Sequence, residues 1–405
     1  QKIFARSTQV ELDDAATAAG WAIMNPAHNR ALAELAVKDT GLGVVADKIA
    51  KNHRKTLGLL RDLQGAKSTG VVAEHPERGI TEIARPVGVV AAVVPSTNPA
   101  ATPANNIINA LKCGNAVIVA PSPKGHGTCA LLLGYVHAEL KRIGAPADIV
   151  QQLPAPVTRE LTNELMRQAD LVVVTGSQNN VRAGYSSGTP ALGVGTGNVA
   201  VIVDESADCA DAARKIMASK IFDNATSCSS ENSVIIHGKV YDRMVSALAS
   251  EGGALLTAAE KATLQKAMFP GGKLSPAITA QPVKKICAVA GLARAELVGA
   301  KCLMVEESGA GRDFPFSGDK LSPVLTLYRA RDFDHAVDIV RAIYDFQGDG
   351  HSLGIYTEDE SRIRRLAHEM TVSRVIVKLA HAFATGGGAP PPRPFPLPHG
   401  VGSVG

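Results

Sequence analysis

Val87-Gly88-Val89-Val90-Ala91-Ala92-Val93-Val94, followed at once by Pro95-Ser96-Thr97-Asn98-Pro99, is the stretch on which the fold turns. From Val89 onward the run is continuously apolar, without the polar alternation of a half-solvated strand. A strand of that kind is buried on both faces, as in parallel sheets covered by helices. Working outward, Ala104 to Lys112 reads as a short helix, Ala116 to Ala120 as a second apolar strand and Thr128 to Ile143 as a second helix. Further strands follow at Ile149 to Leu153 and Leu171 to Thr175. Strand and helix in alternation, with short apolar strands, predict a doubly wound α/β sheet of Rossmann type.

Upstream, residues 9 to 64 carry apolar positions at helical spacing, among them Leu32, Leu35 and Ala36, then Val45, Ala46 and Ile49. Gly70 to Glu74 and Ile80 to Ala84 read as two strands, expected to serve oligomerisation. Downstream a second α/β unit begins near Asn198. Its strands are expected at Val199 to Val203, Ser233 to His237, Val324 to Tyr328, Gly354 to Thr357 and Arg374 to Val377, with helices between them. The expected division is therefore 1–197 and 198–405. Gly386 to Pro398 holds six prolines, each removing a backbone donor, and reads as a loop. The chain opens within what reads as a helix and closes on Val401-Gly402-Ser403-Val404-Gly405 without a closing element, so a C-terminal tail is expected to be missing.

The 405 residues, 45% hydrophobic and 20% charged, exclude a disordered chain and a single small module. A net charge of +4 with no basic run bearing interleaved aromatics argues against nucleic acid. No apolar run reaches the ~18 residues of a membrane span, and no basic-then-apolar leader opens the chain. The cysteines Cys113, Cys129, Cys209, Cys228, Cys287 and Cys302 show no C-x-x-C spacing. No metal site is expected, and the setting reads as reducing and cytoplasmic.

Asn224-Ala225-Thr226-Ser227-Cys228-Ser229-Ser230-Glu231-Asn232 is the sharpest chemical feature. It sets a cysteine among small polar residues, after a helix and before an apolar strand. On the residues alone, Cys228 is either a small buried hydrophobe or a solute-accessible nucleophile acting as thiolate.

Six segments together decide between these. Pro95-Ser96-Thr97-Asn98-Pro99, Val174-Thr175-Gly176-Ser177, the run from Tyr185-Ser186-Ser187-Gly188 to Gly193-Val194-Gly195-Thr196-Gly197-Asn198, the Cys228 segment, Lys320-Leu321-Ser322-Pro323-Val324 and Gly348-Asp349-Gly350-His351-Ser352 stand in the order and spacing of the aldehyde dehydrogenase superfamily. The chain resembles its CoA-acylating branch over essentially its whole length. The resemblance implies an aldehyde dehydrogenase-like fold, a Rossmann-type cofactor domain plus an α/β catalytic domain. It implies Cys228 as the nucleophile that adds to an aldehyde, and the Asn98 side chain with the Cys228 backbone N–H as donors to the oxyanion. The alternative for Asn98 is a turn former before Pro99. His351 would orient or deprotonate the incoming thiol, or simply cap a turn.

Hydrolytic members of the superfamily carry a glutamate in the glycine-rich segment as general base. Gly193 to Asn198 holds no carboxylate, which points to coenzyme A as acyl acceptor. For NAD or NADP the resemblance implies Thr175, Gly176 and Ser177 at the pyrophosphate, with Pro121, Ser122, Gly195 and Asp319 as further cofactor contacts. The usual ribose lysine is replaced by Ala120, Lys124 gives a slight lean toward NADP, and Asp319 stands where a glutamate is common. Ala380 to Gly387 is similar to the sulfoacetaldehyde group, so a small anionic aldehyde is the expected substrate, with Arg374 a candidate for its charge or a surface residue. The alternatives are a hydrolytic semialdehyde dehydrogenase, an acyl-phosphate reductase on the same fold, or a non-catalytic assembly subunit. A homodimer or higher homo-oligomer is expected.

Overall fold

A computed structural model describes residues 1–384 of the chain; the proline-rich stretch read as a loop lies outside the described residues. Two units form among the described residues, one from Gln1–Gly41 with Val45–Gly195, the other from Leu42–Val44 with residues 196–384. The division thus falls two residues before the expected Asn198. Leu42–Val44 groups with the second unit because the Gly43 N–H donates to the Ala280 carbonyl (3.3 Å) and the Val44 N–H to Asp223 Oδ1 (2.8 Å).

In the first unit, helices Gln9–Met24, Pro26–Thr40 and Val45–Leu63 make up the opening region. Thr8 caps the first of them in a reciprocal capping box with Glu11. Strands β1 (Gly70–His75) and β2 (Ile80–Ala84) pair as an antiparallel hairpin that leaves Val71, Ile80 and Ile83 exposed. The remaining strands are β3 (Val89–Val94), β4 (Ala116–Pro121), β5 (Val150–Gln152), β6 (Leu171–Thr175) and β7 (Ala191–Val194). They form a parallel sheet of order β5-β4-β3-β6-β7. The pleat of β3 explains its unbroken apolar run. Val90, Ala92 and Val94 enter one core with helices Gln9–Met24, Ala101–Lys112 and His126–Arg142, while Ala91 and Val93 enter a second core with Leu165, Met166 and Val181.

The second unit is built on β8 (Val199–Val203), β9 (Glu231–His237), β10 (Gly253–Leu255), β11 (Cys302–Glu306), β12 (Val324–Ala330), β13 (Leu353–Tyr356) and β14 (Val375–Val377). All seven run parallel, in the order β10-β11-β12-β9-β8-β13-β14. Val199, Val201 and Val203 of β8 pack under helices Cys209–Ile221 and Tyr241–Ser250. Ala200 and Ile202 pack under Phe333–Phe346 and Glu360–Glu369 on the other face. Among the described residues no helix is long and apolar enough to cross a membrane.

Candidate active site

A parallel sheet brings the residues that precede its strands to one edge. In the second unit these are Gly197 and Asn198 before β8, Cys228 before β9, Leu321 and Ser322 before β12, His351 before β13 and Arg374 before β14. Motifs spread over more than 170 positions are thereby gathered along one rim. Asn198 ties that rim together: its Nδ2 donates to the Ser317 carbonyl (2.7 Å) and the Gln347 carbonyl (3.1 Å). Gly348, at φ +108°, lies so near that a Cβ there would stand 2.7 Å from Asn198 Cβ.

The approach to Cys228 is strained. Asp223, Asn224 and Ala225 all hold positive φ (53°, 51° and 59°), which non-glycine residues adopt at a cost of about 1–3 kcal/mol each. The surroundings hold them there. Asp223 accepts from the Val44 N–H and the Thr226 hydroxyl, and Asn224 Nδ2 donates to the Ala280 carbonyl (3.2 Å). Beyond the bend, the hydroxyls of Ser227 and Ser229 hydrogen-bond to one another (2.8 Å) on the buried side. From Ala225 to Ser230, Cys228 alone is partly exposed. Gly197 presses on it from the other strand end, since a Cβ there would sit 2.3 Å from the Cys228 carbonyl oxygen. The glycine-rich segment Gly193 to Asn198 itself brings no carboxylate to that side. The nearest one in sequence, Glu231, is fully buried and accepts from both the N–H and Nδ1 of His381 (3.0 and 3.3 Å).

His351 is half-buried, with Nδ1 at 2.8 Å from the Ser352 hydroxyl. Its carbonyl accepts from the Ser373 N–H and hydroxyl, which places it beside Arg374. Arg374 departs from the surface reading. Burial pulls its pKa down while the Cys228 thiolate charge pulls it up, and its Nε is buried without a hydrogen-bond partner. A guanidinium placed in this way stabilises a thiolate and attracts an anionic substrate.

Asp319 belongs to a buried charge network that sequence reasoning missed. Its Oδ1 accepts from Asn232 Nδ2 (2.9 Å) and the Leu321 N–H (3.2 Å). Asn232 Oδ1 in turn accepts from Lys220 Nζ (3.2 Å), and Lys320 Nζ donates to the Phe316 and Gly318 carbonyls (2.7 and 3.0 Å). Burial lowers the pKa of both lysines and raises that of Asp319. The sequence signal was Lys320 within a motif already singled out; Lys220 carries none.

In the first unit, strand order runs one way from β3 through β4 to β5 and the other way through β6 to β7. The carboxyl ends of β3 and β6 therefore flank a topological switch point, the place where open α/β sheets take a nucleotide. Pro95 to Asn98 follow β3 there, and Thr175, Gly176 and Ser177 end and follow β6. Thr175 Oγ1 is buried without a partner, an open donor and acceptor that fits a polar ligand at this edge. The Gly176 N–H donates to the Val194 carbonyl (3.2 Å). Ser177 caps helix Gln178–Tyr185, and Gly195 lies against Gln178 of that helix. Pro121 is buried at the end of β4, Ser122 Oγ accepts from the Gly125 N–H (3.3 Å), and Lys124 is exposed. Asn98 is buried, with Oδ1 at 2.9 Å from Lys51 Nζ.

Comparison with known proteins accords with this arrangement. The aldehyde dehydrogenase family model matches residues 22–315. A sulfoacetaldehyde dehydrogenase (acylating) of Cupriavidus necator is 60% identical over 405 residues, all of this chain and 82% of that protein. One from Bilophila wadsworthia is 41% identical over 385 residues, covering 94% of this chain and 82% of that protein. The crystal structure of an acetylating aldehyde dehydrogenase from Geobacillus thermoglucosidasius superposes with a TM-score of 0.90 at 33% identity, covering 95% of this chain and 84% of that one. The chain belongs to the aldehyde dehydrogenase family, in its acylating branch, and is an oxidoreductase of that class.

Proposed function

We propose that the chain oxidises a small anionic aldehyde of the sulfoacetaldehyde type to its acyl-CoA, with NAD or NADP as hydride acceptor. The observation that carries this reading is Gly197 against the Cys228 carbonyl, with Glu231 turned away onto His381. The glycine-rich segment offers water no carboxylate as general base, so a thiol is the better acceptor of the acyl group.

In this reading Cys228 Sγ adds as thiolate to the aldehyde carbon, and the oxyanion is met by Asn98 Nδ2 and the Cys228 N–H. One such donor is typically worth about 2.7–4 kcal/mol. Thr175, Ser177, Pro121, Ser122 and Gly195 would hold NAD(P)+, which would supply hydride acceptance, and Cys228 would carry the resulting thioester. Asp319, whose Oδ1 accepts from Asn232 Nδ2, would help to hold the cofactor's ribose. His351 would take the proton of the coenzyme A thiol as its sulfur attacks the thioester and Cys228 leaves as thiolate. Arg374 would face both the thiolate and the substrate sulfonate. The exposed Val71, Ile80 and Ile83 of the hairpin would join copies into a homo-oligomer, and cysteines without disulfides suit a reducing cytoplasm.

The test is cofactor reduction by purified protein with sulfoacetaldehyde and NAD+ or NADP+, with and without coenzyme A. Sustained turnover only with coenzyme A supports the reading. Equal rates without it would assign a hydrolytic enzyme, and no reduction at all an assembly subunit.

A further inference from the structure

We propose that Lys51 is a positioning residue for catalysis: its amino group fixes which edge of the Asn98 amide is presented to the oxyanion. The inference rests on the reading of Asn98 as oxyanion donor.

It begins with an inverted helix. A helix normally buries an apolar stripe, but Val45–Leu63 buries Lys48, Lys51, Asn52, Lys55 and Thr56, spaced three and four apart along one face. Lysines are rarely so enclosed, and a buried amino group is tolerated only where acceptors meet it. Two of these acceptors lie in the Pro95 to Pro99 loop at the end of β3. Lys48 Nζ donates to the Thr97 carbonyl (3.1 Å), and Lys51 Nζ, 1% exposed, donates to Asn98 Oδ1 (2.9 Å). Successive turns of one helix thus hold successive residues of one loop, the first through its backbone and the second through its side chain.

Chemistry decides what the second contact does. An amide has nearly the same shape either way round, so its orientation follows from its partner. An ammonium offers donors and no lone pair. Only Oδ1 is able to face Lys51, which fixes Nδ2 and its two hydrogens on the far edge. In the reversed orientation Asn98 would offer a lone pair to a developing oxyanion and repel it. Hydrogen bonding at Oδ1 also polarises the amide, which strengthens Nδ2–H as a donor.

The experiment is a double-mutant cycle of the full chain: wild type, Lys51→Met, Asn98→Ala and both together. Each is measured for kcat and KM with aldehyde, for thermal midpoint and for the rate of Cys228 alkylation. Removing an oxyanion donor costs about 10²–10³ in kcat. Lys51→Met is expected to lose roughly tenfold or more of that, with KM and alkylation near wild type, and to cost nothing further in the Asn98→Ala background. Should Lys51→Met fail to fold, Lys51→Gln replaces it in the cycle with the same loss expected, because its amide offers an acceptor as well as a donor and so no longer dictates which edge of Asn98 faces it. Losses that multiply in the double variant, or an unchanged kcat in Lys51→Met beside a collapsed Asn98→Ala, would overturn the role of Lys51 alone. An unchanged kcat in Asn98→Ala would overturn the oxyanion reading, and the role of Lys51 with it.

Discussion

Gly197 stands directly behind Cys228: a Cβ on the glycine would lie 2.3 Å from the cysteine's carbonyl oxygen and 3.2 Å from its Cβ. The obstacle is backbone, which cannot turn aside as a side chain does. Gly197→Ala must therefore displace the cysteine loop, at about 1–3 kcal/mol of stability. Turnover is expected to fall by more than the stability loss explains. A thermal melt combined with the kcat of the fraction that remains folded checks this.

Thiol reactivity separates the cysteines. Burial pushes the thiols of Cys129 and Cys302 up to about 12, so neither supplies thiolate at neutral pH. Cys228 is partly exposed and Cys113 lies on the surface. Iodoacetamide at pH 8, read by peptide mass mapping, is expected to modify Cys228 first, Cys113 more slowly because burial also pushes its thiol up, and to spare Cys129 and Cys302. Cys228→Ala is expected to abolish turnover while leaving the melting midpoint within a few degrees of wild type.

Arg374 feels the charge of Cys228, which pulls the arginine pKa up against the larger lowering by burial. Its positive charge favours the thiolate, so removing it raises the cysteine pKa; a nearby opposite charge typically moves a group by about 1–3 pH units. Arg374→Met is expected to shift the midpoint of the alkylation-rate profile to higher pH, and Arg374→Lys to shift it less. The same variants are expected to raise KM for an anionic aldehyde more than for acetaldehyde.

Much of this was legible beforehand, and the reasons are local. The unbroken apolar run of β3 and the matching run of β8 revealed two parallel sheets, because a strand buried on both faces leaves no polar alternation. β7, β10 and β11 were missed: the first two are short edge strands with a glycine each, and β11 hides its apolar centre between Lys301 and Glu306. Cys228, Asn98 and His351 were singled out through their motifs. Lys51, Lys220 and the depth of Arg374 were not, since a lysine or arginine in a helical or strand-start pattern reads as a solvated face until the fold encloses it.

Acid stability should report on Asp204, which is buried beneath β8. Desolvation pushes its pKa up, but hydrogen bonds from Thr357 (2.7 Å) and Ser206 (2.9 Å) and the Arg362 charge prevail, holding it below 3.8. Below pH 3.8 the unfolded chain takes up this proton before the folded one does. The contribution is therefore complete above that pH and is lost as pH falls through the depressed value. Asp204→Asn is expected to cost about 1–3 kcal/mol at pH 7 and to flatten the acid limb of stability, as measured by urea denaturation from pH 7 downward.

In the proposed reaction an acyl group rests on Cys228 and leaves to a thiol rather than to water. Intact-protein mass spectrometry after one turnover with sulfoacetaldehyde and NAD+, without coenzyme A, reads that step. A persistent sulfoacetyl adduct is expected, mapping to Cys228 and disappearing on adding coenzyme A, with acyl-CoA formed in equal amount. An adduct that decays at the same rate with and without coenzyme A, or that maps to another residue, would contradict it.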